Sequence, residues 1–335
     1  MEFPSEALLV WLRARLGPSV SYASAPVRLT GGFDTVTMAF RLDGAPAELP
    51  KDFILRVLPA TAPVVRLRRE VATHEALVSA GFPAPRIYLH EEDPALFGGS
   101  FIVMERLPGT SMWDGAMGQS GEKRHLLTLS RRLAEAHALL HRIDGKQLTA
   151  SAESHGILPS LLTLTGEIER IRGRIERANL DGLMSGIDWL QRNARRPAEA
   201  EVICHGDFHP LNIMVQGERL VGVIDWPQAI VAEPAYDVAS TLVLLRFADA
   251  GLTGAARTLF DLFRLIPVRR YLSFYRRMRP FREDNIAYYE ALRVLSALTY
   301  AGEYPPGPGN PWHKPHVLSA LYHHFEAVSD VKVAV

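Results

Sequence analysis

The sequence predicts an α+β fold in two unequal lobes, a strand-rich N-terminal lobe and a larger, mostly helical C-terminal lobe. Three observations predict it. Apolar residues alternate with period two in the early part of the chain. Beyond residue 122 they recur at helical spacing. A turn-rich stretch near residues 105–110 separates the two patterns and is the natural place for a cleft. A chain of 335 residues, 47% of them hydrophobic, can bury a sizeable core in such an arrangement.

Taken in order, "MEFPSEALLVWLRARLG" reads as an amphipathic helix capped by Ser5, with Leu8, Leu9, Leu12 and Leu16 on one side. Residues 27–58 read as strands. Val36, Met38, Phe40 and Leu42 alternate with Thr37, Ala39 and Arg41, "DGAPAELPKD" supplies a turn, and "DFILRVL" returns. Residues 64–80 are helical by spacing and stop at Gly81, with Pro83 and Pro85 just beyond. "SFIVMERLPG" is an apolar strand running into a turn. Residues 1–105 thus form the first lobe and residues 106–335 the second. In the second, Leu126, Leu129, Leu133, Ala136 and Leu140 share a helical face, and residues 160–178 and 183–195 are further helices. "EVIC" and "RLVGVIDW" are short strands. Residues 238–335 are mostly helical, broken by the rigid loop "EYPPGPGNPWHKP".

Composition excludes several classes. The 37 basic and 37 acidic residues balance, so no global field favours nucleic acid or a basic partner. The single cysteine, Cys204, permits no internal disulfide and is expected to be a buried residue. No segment reaches the ~18 apolar residues of a membrane span, and no basic leader opens the sequence. A cytoplasmic protein with access to nucleotide is expected; its oligomeric state is not legible.

Between the apolar strands lies a polar knot, "HGDFHPLNIM", residues 205–214. A turn needs neither its carboxylate nor its amide at those positions. Phosphoryl transfer from a nucleotide needs a group to take or orient the acceptor proton, oxygen ligands for Mg²⁺, and a cation to steady the phosphates. Asp207 can meet the first need and Asn212 the second. "RLVGVIDW" delivers Asp225 thirteen residues after Asn212, and a strand–turn–strand of that length returns it beside Asn212. Aspartate and asparagine also favour ordinary turns, but the three together, framed by strands, point to chemistry.

"HGDFHPLNIM", "VGVIDW" and "EPAYDVAS" in that order resemble the aminoglycoside phosphotransferase family, which shares the protein-kinase-like fold. The resemblance covers most of residues 25–245. It implies that Asp207 is the catalytic base, that Asn212 and Asp225 are the Mg²⁺ ligands, that Asp237 is structural, and that His205 shapes the loop, with His209 a secondary candidate for phosphate contact. It implies ATP or GTP as phosphoryl donor. It places the glycine hairpin "LTGGFDTVTMAF", with Gly31 and Gly32 at the turn, over the phosphates, where glycine permits close approach. Asp34 is then expected to point away from them or to contact metal or solvent. Arg56 of "FILRVL" takes the position of the phosphate-binding lysine of protein kinases, with Glu70 rather than Glu75 as its partner, and Arg is not a neutral exchange there. Glu105 and Leu107 of "FIVMERLPG" would line the nucleotide edge through backbone groups.

The acceptor is expected to be a small hydroxyl compound such as an antibiotic, sugar or amino alcohol. Residues 121–200 show no acidic excess and "VRRYLSFYRRMRPFRED" is basic, which argues against a polycation and allows an anionic or neutral acceptor. Trp226, Tyr288, Tyr289, Tyr300, Tyr304 and Trp312 could line an acceptor site, but aromatics at helical spacing are more commonly core. His313 and His316 read as loop residues rather than a metal pair. Two rivals are a metal-dependent phosphoesterase, suggested by "GDFH", and a non-catalytic nucleotide-binding module, suggested by Arg56. The first lacks an upstream Asp-x-His and a downstream Gly-Asn-His; the second usually loses a base or a metal ligand, and none is missing here.

Overall fold

The computed structural model of the chain describes residues 3–29, 35–117, 123–249, 254, 258, 262–304 and 310–335. Helix α1 (Ser5–Leu16) buries Leu8, Leu9 and Leu12 as its spacing requires. Ser5 is not its cap: Pro4 precedes the helix, and no side-chain cap bond forms. Proline fixes the entry of the chain and brings no N–H to satisfy, so Ser5 becomes the first helical residue.

Strands β1 (Ser21–Arg28), β2 (Val36–Asp43) and β3 (Asp52–Val57), helix α2 (Val64–Ser79), and strands β4 (Ile87–Glu91) and β5 (Phe101–Glu105) complete the first lobe. The strands form one antiparallel sheet in the order β1-β2-β3-β5-β4. One face carries Phe40, Phe53, Leu55 and Phe101 against Leu8 and Leu12 of α1. Burying each of those leucines fully stabilises the lobe by roughly 1.5–3 kcal/mol. The other face packs Ile54, Ile102 and Met104 against Leu67 and Val71 of α2. Alternation along β3 therefore sends Phe53, Leu55 and Val57 to the α1 side. Arg56, between them, is left on the side that faces α2.

After the linker come β6 (Thr110–Ser111), α3 (Met112–Met117), α4 (Lys123–Leu140) and α5 (Gly145–Ser154). A short 3₁₀ turn, Pro159–Leu162, leads to α6 (Leu164–Arg177), and another, Asp181–Leu183, to α7 (Met184–Arg192). Strands β7 (Val202–Cys204), β8 (Ile213–Gln216), β9 (Arg219–Val223) and β10 (Ile230–Ala232) surround the polar knot, as two small sheets, β6-β8-β9 and β7-β10. Helices α8 (Pro234–Phe247), α9 (Leu265–Met278), α10 (Ile286–Glu303) and α11 (Pro315–Ser329) follow.

Helix α8 lies between two cores and is buried all round from Pro234 to Leu244. Val238 and Leu242 join a core with Leu133 and Tyr271; Ala239 and Val243 join another with Ile171, Leu295 and Phe325. The aromatics divide accordingly. Trp226, Tyr288, Tyr289 and Trp312 are buried, while Tyr300 and Tyr304 pack against each other at a tilt with centroids 4.5 Å apart. Cys204 is buried. Among the described residues no helix is long and apolar enough to cross a membrane.

The linker is held against the second lobe at Gly222. A Cβ there would lie 2.6 Å from Leu107 Cδ1 and 3.2 Å from the Pro83 carbonyl oxygen, so a larger residue would have to displace the Leu107 side chain and press on Pro83. The next residue, Val223, donates its N–H to that same Pro83 oxygen at 2.9 Å.

Candidate active site

The polar knot is the connection from β7 to β8, and α8 fixes its backbone. Asp237 Oδ2 accepts the His205 N–H at 2.6 Å and its Oδ1 accepts the Gly206 N–H at 2.8 Å. Gly206 has φ of +78°, and a Cβ there would meet the Gln228 carbonyl oxygen at 2.8 Å. Gly206→Ala is therefore strained both by its backbone and by its neighbour. It is expected to lower kcat at least ~10-fold through displacement of Asp207. Steady-state kinetics beside a melting curve checks this, and unchanged kcat would refute it.

His205 closes the loop from within. Its Nε2 lies 3.0 Å from the Ile224 carbonyl oxygen and its Nδ1 accepts the Asp207 N–H at 3.2 Å, which is the pattern of a neutral Nε2–H imidazole. Burial is the main reason its pKa is depressed. Behind it His141 and His137 converge on Asp237 Oδ2, at 3.2 and 3.1 Å, with tyrosine hydroxyls of Tyr275 and Tyr271 on their Nδ1 atoms. These contacts make Asp237 a structural anchor of the loop, and burial of its charge is outweighed by the two imidazoles, which hold it well below the usual carboxylate range.

Buried imidazoles predict a pH dependence. Burial pushes His74, whose Nδ1 lies 2.7 Å from the Pro85 oxygen, down to about 4 and His141 down to about 3. The unfolded chain takes up these protons near pH 6.5. The stabilisation is therefore present above that pH and lost as pH falls through 6 toward 4. Thermal midpoints between pH 7.5 and 4.5 should fall steadily, with His74→Gln flattening the slope. A level profile would contradict the assignment.

Asp207, Asn212 and Asp225 come together as expected. Asn212 Nδ2 donates to the Asp207 carbonyl oxygen at 3.0 Å and lies 3.4 Å from Asp207 Oδ2. The amide nitrogen is thus turned to Asp207, and Asn212 Oδ1 carries no hydrogen bond among the described residues. The β8–β9 hairpin brings Asp225 back beside it, with Ile224 N–H on the Asn212 carbonyl oxygen at 2.9 Å. Asp225 adopts φ of +68°, uncommon for a non-glycine residue, and its side chain is 44% exposed.

Arg56 reaches this group from β3. Its Nη1 pairs with Glu70 Oε1 at 2.6 Å and its Nη2 with Asp225 Oδ1 at 2.9 Å. Glu70 is fully buried. Glu75, the rejected candidate, accepts from His155 at the surface instead. The guanidinium fork spans both carboxylates at once, which a lysine ammonium does less well. The knot and the first lobe are thus joined by one ion-paired chain.

At the linker, Glu105 N–H is bonded to the Arg86 oxygen and Arg106 N–H to the Asp52 oxygen, while Leu107 N–H makes no hydrogen bond among the described residues. A cleft of about 370 Å³ opens between this linker and the first hairpin, lined by Val27, Leu29, Ala39, Asp52 and Arg106 among others. Gly31, Gly32 and Asp34 lie outside the described residues, as does the side chain of Leu126.

Two contacts of Asp207 were not expected. His209 Nε2 stands 3.3 Å from Asp207 Oδ2, facing the carboxylate. Arg293 of α10 places Nη2 2.8 Å from Asp207 Oδ1. Burial raises the Asp207 pKa, but His209 first and then Arg293 and His205 outweigh it and hold the carboxyl far below its usual range. Asp207 is therefore ionised and acceptor-only. Arg293 could have been noticed in "ALRVLSALTY", where one charge interrupts an apolar helical run.

The oxygen donors of Asn212 and Asp225 are hard and suit Mg²⁺. The sequence profile of the phosphotransferase enzyme family matches residues 27–281. Solved structures of similar shape include a Ralstonia eutropha protein assigned as an aminoglycoside phosphotransferase (18% identity, TM-score 0.62, covering 98% of this chain and 97% of that one). A ternary complex of a thermostable APH(4)-Ia mutant with ADP and hygromycin B is similar at 16% identity and TM-score 0.60, covering 97% of this chain and 98% of that one. At these identities the likeness shows the fold, a two-lobed protein-kinase-like one. Sequence relatives include acyl-CoA dehydrogenase family member 11 of Rattus norvegicus, 29% identical over 180 residues, 52% of this chain and 22% of the relative. Acyl-CoA dehydrogenase family member 10 of Mus musculus is 23% identical over 244 residues, 71% of this chain and 22% of the relative. The chain thus spans about a fifth of the length of these relatives.

Proposed function

The chain belongs to the phosphotransferase enzyme family, and from that premise we propose that it is a small-molecule kinase. It transfers the terminal phosphoryl group of ATP, or of GTP, to a hydroxyl of a small acceptor. The observation that carries this reading is the convergence of Asp207, Asn212 and Asp225, with Arg56 bridging Asp225 to the buried Glu70.

The roles follow from that arrangement. Asp207, held ionised, accepts the hydrogen of the acceptor hydroxyl and aims its oxygen at the terminal phosphorus. The new P–O bond forms as the bond to the nucleotide's leaving oxygen breaks, and the hydroxyl proton leaves through Asp207. Asn212 and Asp225 would hold Mg²⁺, which when bound neutralises charge on the phosphates. Arg56 would steady the phosphates while Glu70 holds its fork in place. The Leu107 N–H and the backbone of Glu105 would receive the nucleotide base at the linker, with Gly31 and Gly32 over the phosphates. Positioning and electrostatics supply nearly all of the catalysis in such a site.

APH(4)-Ia structures carrying ADP or AMP-PNP together with hygromycin B support a nucleotide and a small acceptor as the ligands of this fold. The test is product detection from labelled ATP and GTP with Mg²⁺ against aminoglycosides, macrolides, sugars, amino alcohols and hydroxylated anions. A phosphorylated acceptor supports the reading. Phosphate release alone, with no phosphorylated acceptor from any class, would overturn it.

A further inference from the structure

The face of Asp207 turned toward α10 is lined by arginine. Arg293 is 8% exposed, pairs with Asp207 through Nη2, lies 5.6 Å from the Trp312 ring centroid, and keeps a buried Nε with no hydrogen-bond partner among the described residues. Helix α6 lies beside α10 and carries two ion-paired arginines. Arg170 grips both oxygens of Glu167 at 2.8 and 2.5 Å, and Arg174 holds Glu303 of α10 at 2.5 Å. From α2, Arg69 reaches over to the Ala229 oxygen, and its Nε too is buried with no partner among the described residues. Burial and then the neighbouring Arg170 charge push Arg69 down to about 10, so it stays charged at neutral pH. Tyr236 sits between these groups, its hydroxyl 3.4 Å from where a Gly206 Cβ would stand.

Arg293 is thus paired with Asp207, Arg170 with Glu167 and Arg174 with Glu303, while Arg69 is bonded to a carbonyl oxygen. An ammonium-rich acceptor entering here would approach Arg293 at the very carboxylate its hydroxyl must reach. A like charge so placed, away from bulk water, disfavours binding. Two buried guanidine N–H groups without partners favour the opposite sign, because a carboxylate or phosphate would satisfy them with charge-assisted hydrogen bonds.

We infer that this arginine-lined face is the acceptor site and that it takes a hydroxyl compound bearing a carboxylate or phosphate near the reacting hydroxyl, with Arg293 as the specificity-determining residue. The inference rests on the phosphotransferase reading above and narrows its acceptor class.

A size-matched series tests it: glycerate, glycerol phosphate, glycerol and aminopropanediol, each titrated calorimetrically into the full chain loaded with Mg²⁺ and AMP-PNP. The two anions should bind at least ~10-fold more tightly than the amine, the scale of one charge-assisted hydrogen bond. Comparing glycerate with glycerol phosphate tells which anion is preferred. Arg293→Met should weaken the two anions at least ~10-fold more than it weakens glycerol, and Arg293→Lys, which keeps charge but not the fork, should retain part of the preference. Equal or tighter binding of the amine overturns the inference, as does absence of binding by both anions. So does an equal loss across the series in Arg293→Met, which would mean that Arg293 only supports Asp207. Failure of AMP-PNP itself to bind would instead bring down the phosphotransferase reading.

Discussion

Replacing Asp207 with alanine is expected to lower kcat by at least ~100-fold, the scale of a lost general base, while nucleotide affinity stays within ~3-fold. The carboxylate contacts Arg293, His209 and the Asn212 amide, and as an ionised group it can accept a hydroxyl hydrogen. Its removal has a second consequence. Arg293 is left buried beside an empty position, and an orphaned buried charge destabilises. Asp207→Asn therefore accompanies the alanine variant, since it keeps the shape and one acceptor oxygen but removes the charge. Both should lose turnover, with the melting temperature falling more in the alanine variant. Normal kcat in either would remove Asp207 from the chemistry.

Asp237→Ala is expected to have the largest effect on stability. Asp237 is fully buried, accepts the His205 and Gly206 N–H groups, and receives His141. Deleting it leaves these donors buried without a partner, at a cost of ~1–3 kcal/mol each, so a loss of about 3 kcal/mol or more is expected from the set. Chemical denaturation reads it as a lower midpoint at constant slope. Turnover should fall as well, because the residues that lose their anchor are the two that precede Asp207. A variant with an unchanged midpoint would show that α8 does not hold the loop.

Much of this was legible in the sequence because the knot is polar where its surroundings are not. "HGD", the asparagine five residues on, and "IDW" stand out against apolar strands, and the hairpin between them has the length that returns Asp225 to Asn212. Arg56 and Glu70 were legible only through resemblance, since neither periodicity nor charge separates Glu70 from Glu75; burial does. Strand β4 escaped notice because it is an edge strand, mostly half-buried along its length, and so shows no alternation. Helix α5 begins at a glycine and buries only Gly145, Leu148 and Ala152, too thin a stripe to read. Arg293 was missed for a different reason. It is 86 residues from Asp207 in the chain, and the contact between them is set by how α10 packs across α8, which no local pattern encodes.

In the proposed mechanism Asp225 and Asn212 hold the metal–nucleotide while Asp207 serves the acceptor. Calorimetric titration of Mg²⁺·AMP-PNP into the native chain and the Asp207→Ala and Asp225→Ala variants separates these roles directly. Native protein and Asp207→Ala should bind alike within ~3-fold, and Asp225→Ala should bind at least ~10-fold more weakly, the loss of about 1.4 kcal/mol or more. Undiminished binding by Asp225→Ala would contradict the account.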